Sequence, residues 1–446
     1  MVSRSPCPHG RAGHSICRII ILSMVLVIPS PIIAGNATFA EAAPVESGEP
    51  KGGAQLSLKS AIDRALEASP GLQAAQAGVD AAKGSERQAR LLSNPEFSLE
   101  VENFEGQGPY QDFDSAELTY GISQNIELGG KRSARRNAAI AEREAAEFSS
   151  QSARLDLIQG VTTAYVEAVA AEQSLALAKD LEKIAKNVLE TVNERVKAAR
   201  EPEIQKSKAE IALATSRVAR QRATTELDAA RKTLARYWGE TSFSGQLSSR
   251  EFFTFPAPLA LDAYEARLAE TPDIARLGRL RDAREAELKL ARAGAVPDPT
   301  ISVGVRQFRD TDEQALVAGI SVPIPVLNQN QGEISRSGAE VVRADSERRQ
   351  AELDQARLLT DAWSRWESAA LEAKSLKQSI RPQAQDAFRL TLEGYQAGRF
   401  SYLEVLDVQR TLFDVRAEEV NALTRLHIAR AEVERLVAMS SHDPVQ

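Results

Sequence analysis

Apolar residues recur at helical spacing along most of this chain. One such series occupies every third or fourth position: Leu155, Ile158, Thr162, Tyr165 and Val169. This spacing puts them on one face of an α-helix, as in the seam of a coiled coil. The pattern predicts very long helical stretches over 132–199 and 333–396. Helices of about 35 residues are expected around each of them: 57–93, 203–237, 259–294 and 402–438.

Four short segments instead alternate apolar and polar residues, which predicts β-strands with two different faces. In the first of them, Phe97, Leu99 and Val101 alternate with serine and glutamate. We expect four strands, at about 95–103, 116–127, 299–308 and 314–324. Each is close to the ~9–11 residues that span a bilayer when tilted. The same alternation also fits a sheet of a soluble protein.

The order of these elements is repeated about 200 residues later along the chain. Asn94-Pro95 recurs as Asp298-Pro299, and Ala199-Arg200 recurs as Gly398-Arg399. Landmarks at a near-constant offset indicate a tandem duplication. The predicted division is a first repeat at 56–240, an inter-repeat linker at 241–257, a second repeat at 258–438 and a C-terminal tail at 439–446.

The N-terminal segment has the pattern of a secretory signal peptide. Residues 1–18 contain three arginines and no acid, and the apolar run that follows, 19–28, is too short to span a membrane. We expect a signal peptide at 1–42 and a linker at 43–55. An N-terminal membrane anchor is the alternative.

Composition removes several classes of function. A net charge of −7 without a basic stripe argues against nucleic acid as a partner. Both cysteines, Cys7 and Cys17, lie in the leader, so a disulfide framework or thiolate metal site is not expected. Beyond the leader, His427 and His442 form no metal-binding cluster, and no catalytic motif is present. We therefore expect no enzyme activity, no metal site and no cofactor.

Three short motifs flank the predicted strands: Asn94-Pro95-Glu96, Ile126–Arg132 (IELGGKR) and Pro323-Ile324-Pro325. With the duplicated order of helices and strands, they resemble the TolC-like outer-membrane efflux proteins over nearly the whole mature chain. The sequences NPEFSLEVENF and IELGGKR are most similar to the heavy-metal, CzcC-like branch.

The resemblance implies a mainly α fold with a small β part, assembled as a homotrimer. Long coiled-coil-like helices would form an α-barrel in the periplasm. Four strands per chain would contribute to a 12-stranded transmembrane β-barrel in contact with outer-membrane lipid. The channel would passively conduct substrate, heavy-metal cations above all, from an inner-membrane RND pump and its periplasmic adaptor. The alternative is a soluble periplasmic coiled-coil adaptor or scaffold, and an exported enzyme is less favoured still.

The resemblance also implies that the breaks in the long helices, at about 199–203 and 397–402, are periplasmic hairpin tips. Adaptor contacts are expected at Ala199, Glu201, Pro202, Gly398, Phe400 and Ser401. Ala199 stands where the family usually has glycine, so a different turn is expected at the first tip. The predicted aperture residues are Arg200, Glu203, Arg399, Glu404 and Asp407.

Threefold symmetry would turn Glu203, Glu404 and Asp407 into carboxylate rings that attract cations. Ordinary solvated charge on a helix is the competing interpretation. Arg200 and Arg399 have three interpretations that the sequence leaves open: salt bridges between hairpins, adaptor contacts or surface charges.

Overall fold

The computed structural model describes residues 55–111 and 113–439. The predicted signal peptide, nearly all of the linker after it and the tail beyond Met439 lie outside the described residues. The described part is mainly helical and contains one four-stranded sheet.

The described residues of the first half form four α-helices and two strands: α1 (Leu58–Ala68), α2 (Pro70–Ala89), β1 (Glu96–Glu102), β2 (Glu117–Asn125), α3 (Lys131–Lys197) and α4 (Glu203–Ala235). The single helix predicted over 57–93 is wrong, because it divides at Ser69-Pro70. Pro70 lacks the N–H that would continue the helix, and the Ser69 hydroxyl caps the next one.

The second half has the corresponding elements in the same order: α5 (Leu261–Glu265), α6 (Pro272–Ala293), β3 (Thr300–Phe308), β4 (Glu313–Ser321), α7 (Gln331–Ser375), α8 (Arg381–Gln396) and α9 (Tyr402–Leu436). The helix predicted over 259–294 is likewise divided, before Pro272. A π-helical turn at 376–380 separates α7 from α8. Pro382, the second residue after this turn, lacks a backbone donor for the helical ladder, which accounts for the interruption.

The sheet joins the two halves. Its strands are all antiparallel in the order β1-β2-β3-β4, so β2 of the first half pairs with β3 of the second. Leu99 lies opposite Tyr120, which lies opposite Val305, and this row belongs to an apolar face. That face is exposed: Leu316 is 89% exposed and Phe97 66%. Mainly polar residues and glycines occupy the other face, together with Phe308, Ala315 and Val317.

Small residues hold the long helices together. α3 has 67 residues and is about 100 Å long, and many of its buried positions are alanines, which permit close helix contact. A large apolar cluster fills the middle of the helical part, around Val169, Trp366 and Leu426. A second cluster lies near the helix breaks: Val188, Val192, Ala209, Tyr395, Tyr402 and Val405. None of the helices in the described ranges has both the length and the apolar character needed to cross a bilayer.

A charged cluster ties α3, α6 and α9 together. Arg435 Nη1 lies 2.7 Å from Asp273 Oδ2, and Arg435 Nε lies 2.5 Å from Asp156 Oδ1. The Ser152 hydroxyl donates to Asp273 Oδ1 at 2.7 Å. Burial alone would raise the pKa of Asp273, but Arg435 and Ser152 together lower it below its ordinary value. The ionised carboxylate is therefore the form that the fold stabilises.

Candidate functional site: the two hairpin tips

The two helix breaks have the same backbone geometry. Ala199 has φ of 57° and Gly398 has φ of 76°, both in the left-handed region. Matching backbone bonds close the two turns: Arg200 N–H to Arg195 O at 2.8 Å, and Arg399 N–H to Gly394 O at 2.8 Å. This is the Schellman motif that ends many helices. The expectation of a different turn at Ala199 is wrong. Alanine adopts there the left-handed conformation, which glycine adopts at a lower steric cost.

Replacing Ala199 by glycine is expected to stabilise the first tip by about 1 kcal/mol, because alanine pays a steric cost in the left-handed region. Amide hydrogen exchange over residues 195–203 should then slow by about five-fold. The matched control is Ala198→Gly, one residue earlier, where φ is −80° and glycine offers no such gain. Equal exchange in the two variants would contradict this explanation.

The second tip is held by a capping box at the start of α9. The Glu404 N–H donates to Ser401 Oγ at 3.4 Å, and the Ser401 N–H donates to Glu404 Oε2 at 2.6 Å. These bonds satisfy two otherwise unpaired amides of the helix end. The amide of Ser401, with help from its hydroxyl, lowers the pKa of Glu404. The Glu404 carboxylate therefore already has a structural role within its own chain.

The other predicted tip residues are mostly exposed. Glu203 begins α4, with Pro202 before it, and lies 3.5 Å from Lys206. Phe400 and Asp407 are exposed as well. Arg200 and Arg399 are exposed and form no ion pair within the described part of the chain. These free charges are available to groups outside the chain.

A contact between the two tips was not predicted. Arg195, in the last turn of α3, donates through Nη1 to the carbonyl oxygen of Tyr395 at 3.0 Å. Its guanidinium lies 4.7 Å from the centroid of the Tyr395 ring, within cation–π range. Glu201 is half-buried beside it, with Oε1 3.5 Å from Arg195 Nε. One arginine thus joins the end of α3 to the end of α8.

Aromatic packing continues this contact into α9. Tyr395 and Tyr402 are buried, with ring centroids 6.2 Å apart. Burial raises the pKa of Tyr402 to about 12, and the nearby Tyr395 adds to this. Burial, followed by the charge of Glu201, also raises the pKa of Tyr395. Both phenols are therefore neutral at physiological pH.

Two buried polar atoms near the tips lack hydrogen-bond partners in the described structure: Gln205 Oε1 and Tyr395 Oη. A buried polar group without a partner costs about 1–3 kcal/mol. The apolar and cation–π contacts of this region offset that cost.

The sequence contained only a weak signal for these residues. Two of the seven tyrosines fall seven positions apart, on either side of the second break. Arg195 looks like an ordinary basic residue in the last turn of a helix. Its partner is 200 residues away, so neither periodicity nor motif could connect them.

The described residues offer few side chains that could bind a resident metal ion. Among the described residues, no three His, Cys, Asp or Glu side chains are grouped so as to bind a metal. His427 stacks on Phe252, with ring centroids 5.7 Å apart, and its Nε2 lies 2.9 Å from the Phe252 carbonyl oxygen. Burial lowers the pKa of His427, so the neutral, packed form is favoured. His442 lies outside the described residues.

Known proteins are similar to this chain in sequence and in fold. A family model described as Outer membrane efflux protein matches residues 61–240 and 263–438. The cobalt-zinc-cadmium resistance protein CzcC of Cupriavidus metallidurans is 28% identical over 418 residues, which cover 93% of this chain and 97% of the relative. The pyoverdine export outer membrane protein OpmQ of Pseudomonas aeruginosa is also 28% identical, over 84% of this chain and 82% of the relative.

A crystal structure of CusC has the same fold. It matches with a TM-score of 0.73 over 86% of this chain and 92% of CusC, at 19% identity. This likeness confirms the predicted fold class, a mainly helical chain with a small sheet.

Proposed function

The chain belongs to the outer membrane efflux protein family, and we propose that it is the outer-membrane channel of a tripartite pump that exports heavy-metal cations. The family match confirms the resemblance seen in the sequence. CzcC, a cobalt-zinc-cadmium resistance protein, supports a metal cargo because its similarity spans 93% of this chain. OpmQ, a pyoverdine export protein, makes pyoverdine or a similar organic molecule the second candidate cargo.

The observation that carries the membrane assignment is the two-faced sheet. Ile320 is 71% exposed and Leu316 89% exposed on a face that is apolar along all four strands. Leaving such a patch in water is unfavourable, whereas lipid would cover it. The long helices all attach at one end of the sheet, so they extend away from the membrane on one side, into the periplasm. In a soluble adaptor or scaffold this apolar face would be exposed to water, which is unfavourable.

The edges of the sheet support a trimer. β1 and β4 each pair on one side only, which leaves a row of backbone donors and acceptors open. In our proposal β1 of one copy pairs with β4 of the next, and three copies place twelve strands around a pore. The tandem repeats, 56–240 and 258–438, would then alternate around the threefold axis. The family match over 61–240 and 263–438 supports that division.

The tips form the periplasmic entrance in this proposal. The Arg195–Tyr395 contact holds the two tips of one chain together, and the exposed charges of Arg200, Glu203, Arg399 and Asp407 face neighbouring copies or cations. Glu404 acts by holding the α9 turn. The adaptor docks on the exposed turn surfaces, including Pro202 and Phe400, and the RND pump lies below it in the inner membrane.

The membrane location and the native mass of the detergent-extracted protein test the proposal. We expect an outer-membrane protein that requires detergent, has the mass of three chains and produces ion-conducting steps in planar bilayers. A monomer or dimer released from the periplasm without detergent would contradict the channel assignment. The adaptor or scaffold would then become the better hypothesis.

A deletion strain distinguishes the two cargoes. Loss of the protein should increase sensitivity to cobalt, zinc or cadmium salts, and re-expression should restore resistance. A strain with unchanged metal resistance that accumulates pyoverdine or a similar organic molecule in the periplasm would instead favour the organic cargo.

A further inference from the structure

The polar face of the sheet is strongly acidic and contains one cation. The strand register places five carboxylates on it: Glu96, Glu100, Glu102, Glu117 and Glu313. Among the residues of the four strands, Arg306 is the one basic side chain. The face therefore has four negative charges in excess, and the position of Arg306 decides how they are distributed.

Arg306 binds three side chains on two neighbouring strands. Nη2 lies 3.0 Å from Glu102 Oε2 on β1, and Nη1 lies 2.9 Å from Glu117 Oε2 on β2. Its Nε donates to Thr119 Oγ1 at 3.0 Å. All of its nitrogens are thus engaged, and a planar guanidinium is the side chain suited to bridge two carboxylates in this way.

The bridge resolves a conflict in the register. Glu102 and Glu117 are direct cross-strand partners on the same face, and like charges placed opposite each other destabilise a sheet. The loop 103–116 joins β1 to β2, and the loop 309–312 joins β3 to β4. Both loops lie at the end of the sheet that is near Arg306, whereas the helices attach at the opposite end. The bridge therefore lies near the end of the sheet that is remote from the periplasmic helices.

We propose that Arg306 sets the ion selectivity of the pore at its outer end, by holding Glu102 and Glu117 against the wall and neutralising part of their charge. This inference rests on the proposed channel function. In a trimer, three such arginines restrain six carboxylates. Without them the carboxylates would project into the lumen and attract cations more strongly, since charge inside a narrow, low-dielectric pore is poorly screened.

Reversal potentials across a planar bilayer in a KCl gradient test this proposal. R306Q is expected to raise the permeability ratio of K⁺ over Cl⁻ by about two-fold or more. R306K keeps the charge but cannot bridge both carboxylates with one planar group, so its ratio should lie between wild type and R306Q. E117Q should shift the ratio towards Cl⁻, and the double variant R306Q/E117Q should return towards wild type.

Arg309 provides the matched control. It is exposed, lies three residues further along at the loop, and forms no side-chain ion pair within the described chain. R309Q removes the same charge and should change the ratio much less than R306Q. Equal shifts in R306Q and R309Q, or no shift in R306Q and E117Q, would overturn the assignment. A wild-type protein that forms no pores would instead overturn the channel function itself. If R306Q does not insert, the comparison of R306K, E117Q and R309Q still decides the question.

Discussion

If the tips form the entrance of the proposed channel, replacing Arg195 by alanine is expected to widen it and to raise single-channel conductance, or the time spent open, by about ten-fold. The variant loses the hydrogen bond to the Tyr395 carbonyl and the cation–π contact with its ring. Together these interactions are worth about 1–3 kcal/mol, which shifts a closed–open equilibrium by roughly one order of magnitude. Planar-bilayer recordings of the purified protein measure the change.

Two variants of the same region provide controls. Lys197→Ala removes a cation two residues away whose ion pair with Glu194, at 2.9 Å, is exposed and local to one helix. Tyr395→Phe keeps the ring and the backbone carbonyl and removes a buried hydroxyl that has no partner. Both should conduct like the wild type, and Tyr395→Phe should tighten the contact. Opening in Lys197→Ala as large as in Arg195→Ala would show that general surface charge, and not this contact, controls the entrance.

Replacing Asp273 by asparagine is expected to lower stability by about 2 kcal/mol, and the melting temperature by about 4 °C. The change leaves Arg435 with one exposed partner, Asp156, in place of two. The effect stays below the 3–5 kcal/mol of a fully buried pair because the cluster is partly open to solvent. Thermal denaturation of the detergent-solubilised protein, followed by circular dichroism, measures it.

The contribution of Asp273 to stability should depend on pH in a defined direction. The fold lowers the pKa of Asp273, so its contribution to stability is complete above the ordinary aspartate pKa of about 3.9. It is lost as pH falls through the lowered value. The difference in melting temperature between wild type and Asp273→Asn should therefore be constant from pH 7 to 5 and shrink below about pH 4. The control Asp156→Asn removes a 62% exposed partner and should cost less than about 1 kcal/mol. A difference that persists at low pH would exclude the carboxylate charge as its cause.

Local patterns were sufficient to identify most elements of this fold. Alternation in the 95–103 segment predicted a strand where β1 runs from Glu96 to Glu102, because successive side chains of a strand point to opposite faces of the sheet. The three-and-four spacing around Tyr165 predicted the helix α3. The divided helices were missed because Ser69-Pro70 sits within an otherwise regular helical pattern, and a cap depends on backbone geometry.

The candidate site was harder to predict. Position alone indicated the tips, and the exposed Arg200 and Asp407 lie where expected. The structure gives Glu404 a role in capping its own helix, which the ring hypothesis had not considered. It also adds Arg195 and Tyr395, whose contact spans 200 residues of sequence.

By itself the sequence determined the helical and strand periods, the order of elements in each half and the family to which the chain belongs. These follow from local spacing and short motifs, which act over a few residues. Only the tertiary structure decided that β2 pairs with β3, that Arg195 joins the two tips and that Arg306 bridges Glu102 and Glu117. Such contacts depend on the register and packing of segments far apart in the chain, and a side chain's neighbours across that distance are set by the whole fold rather than by its own surroundings in sequence.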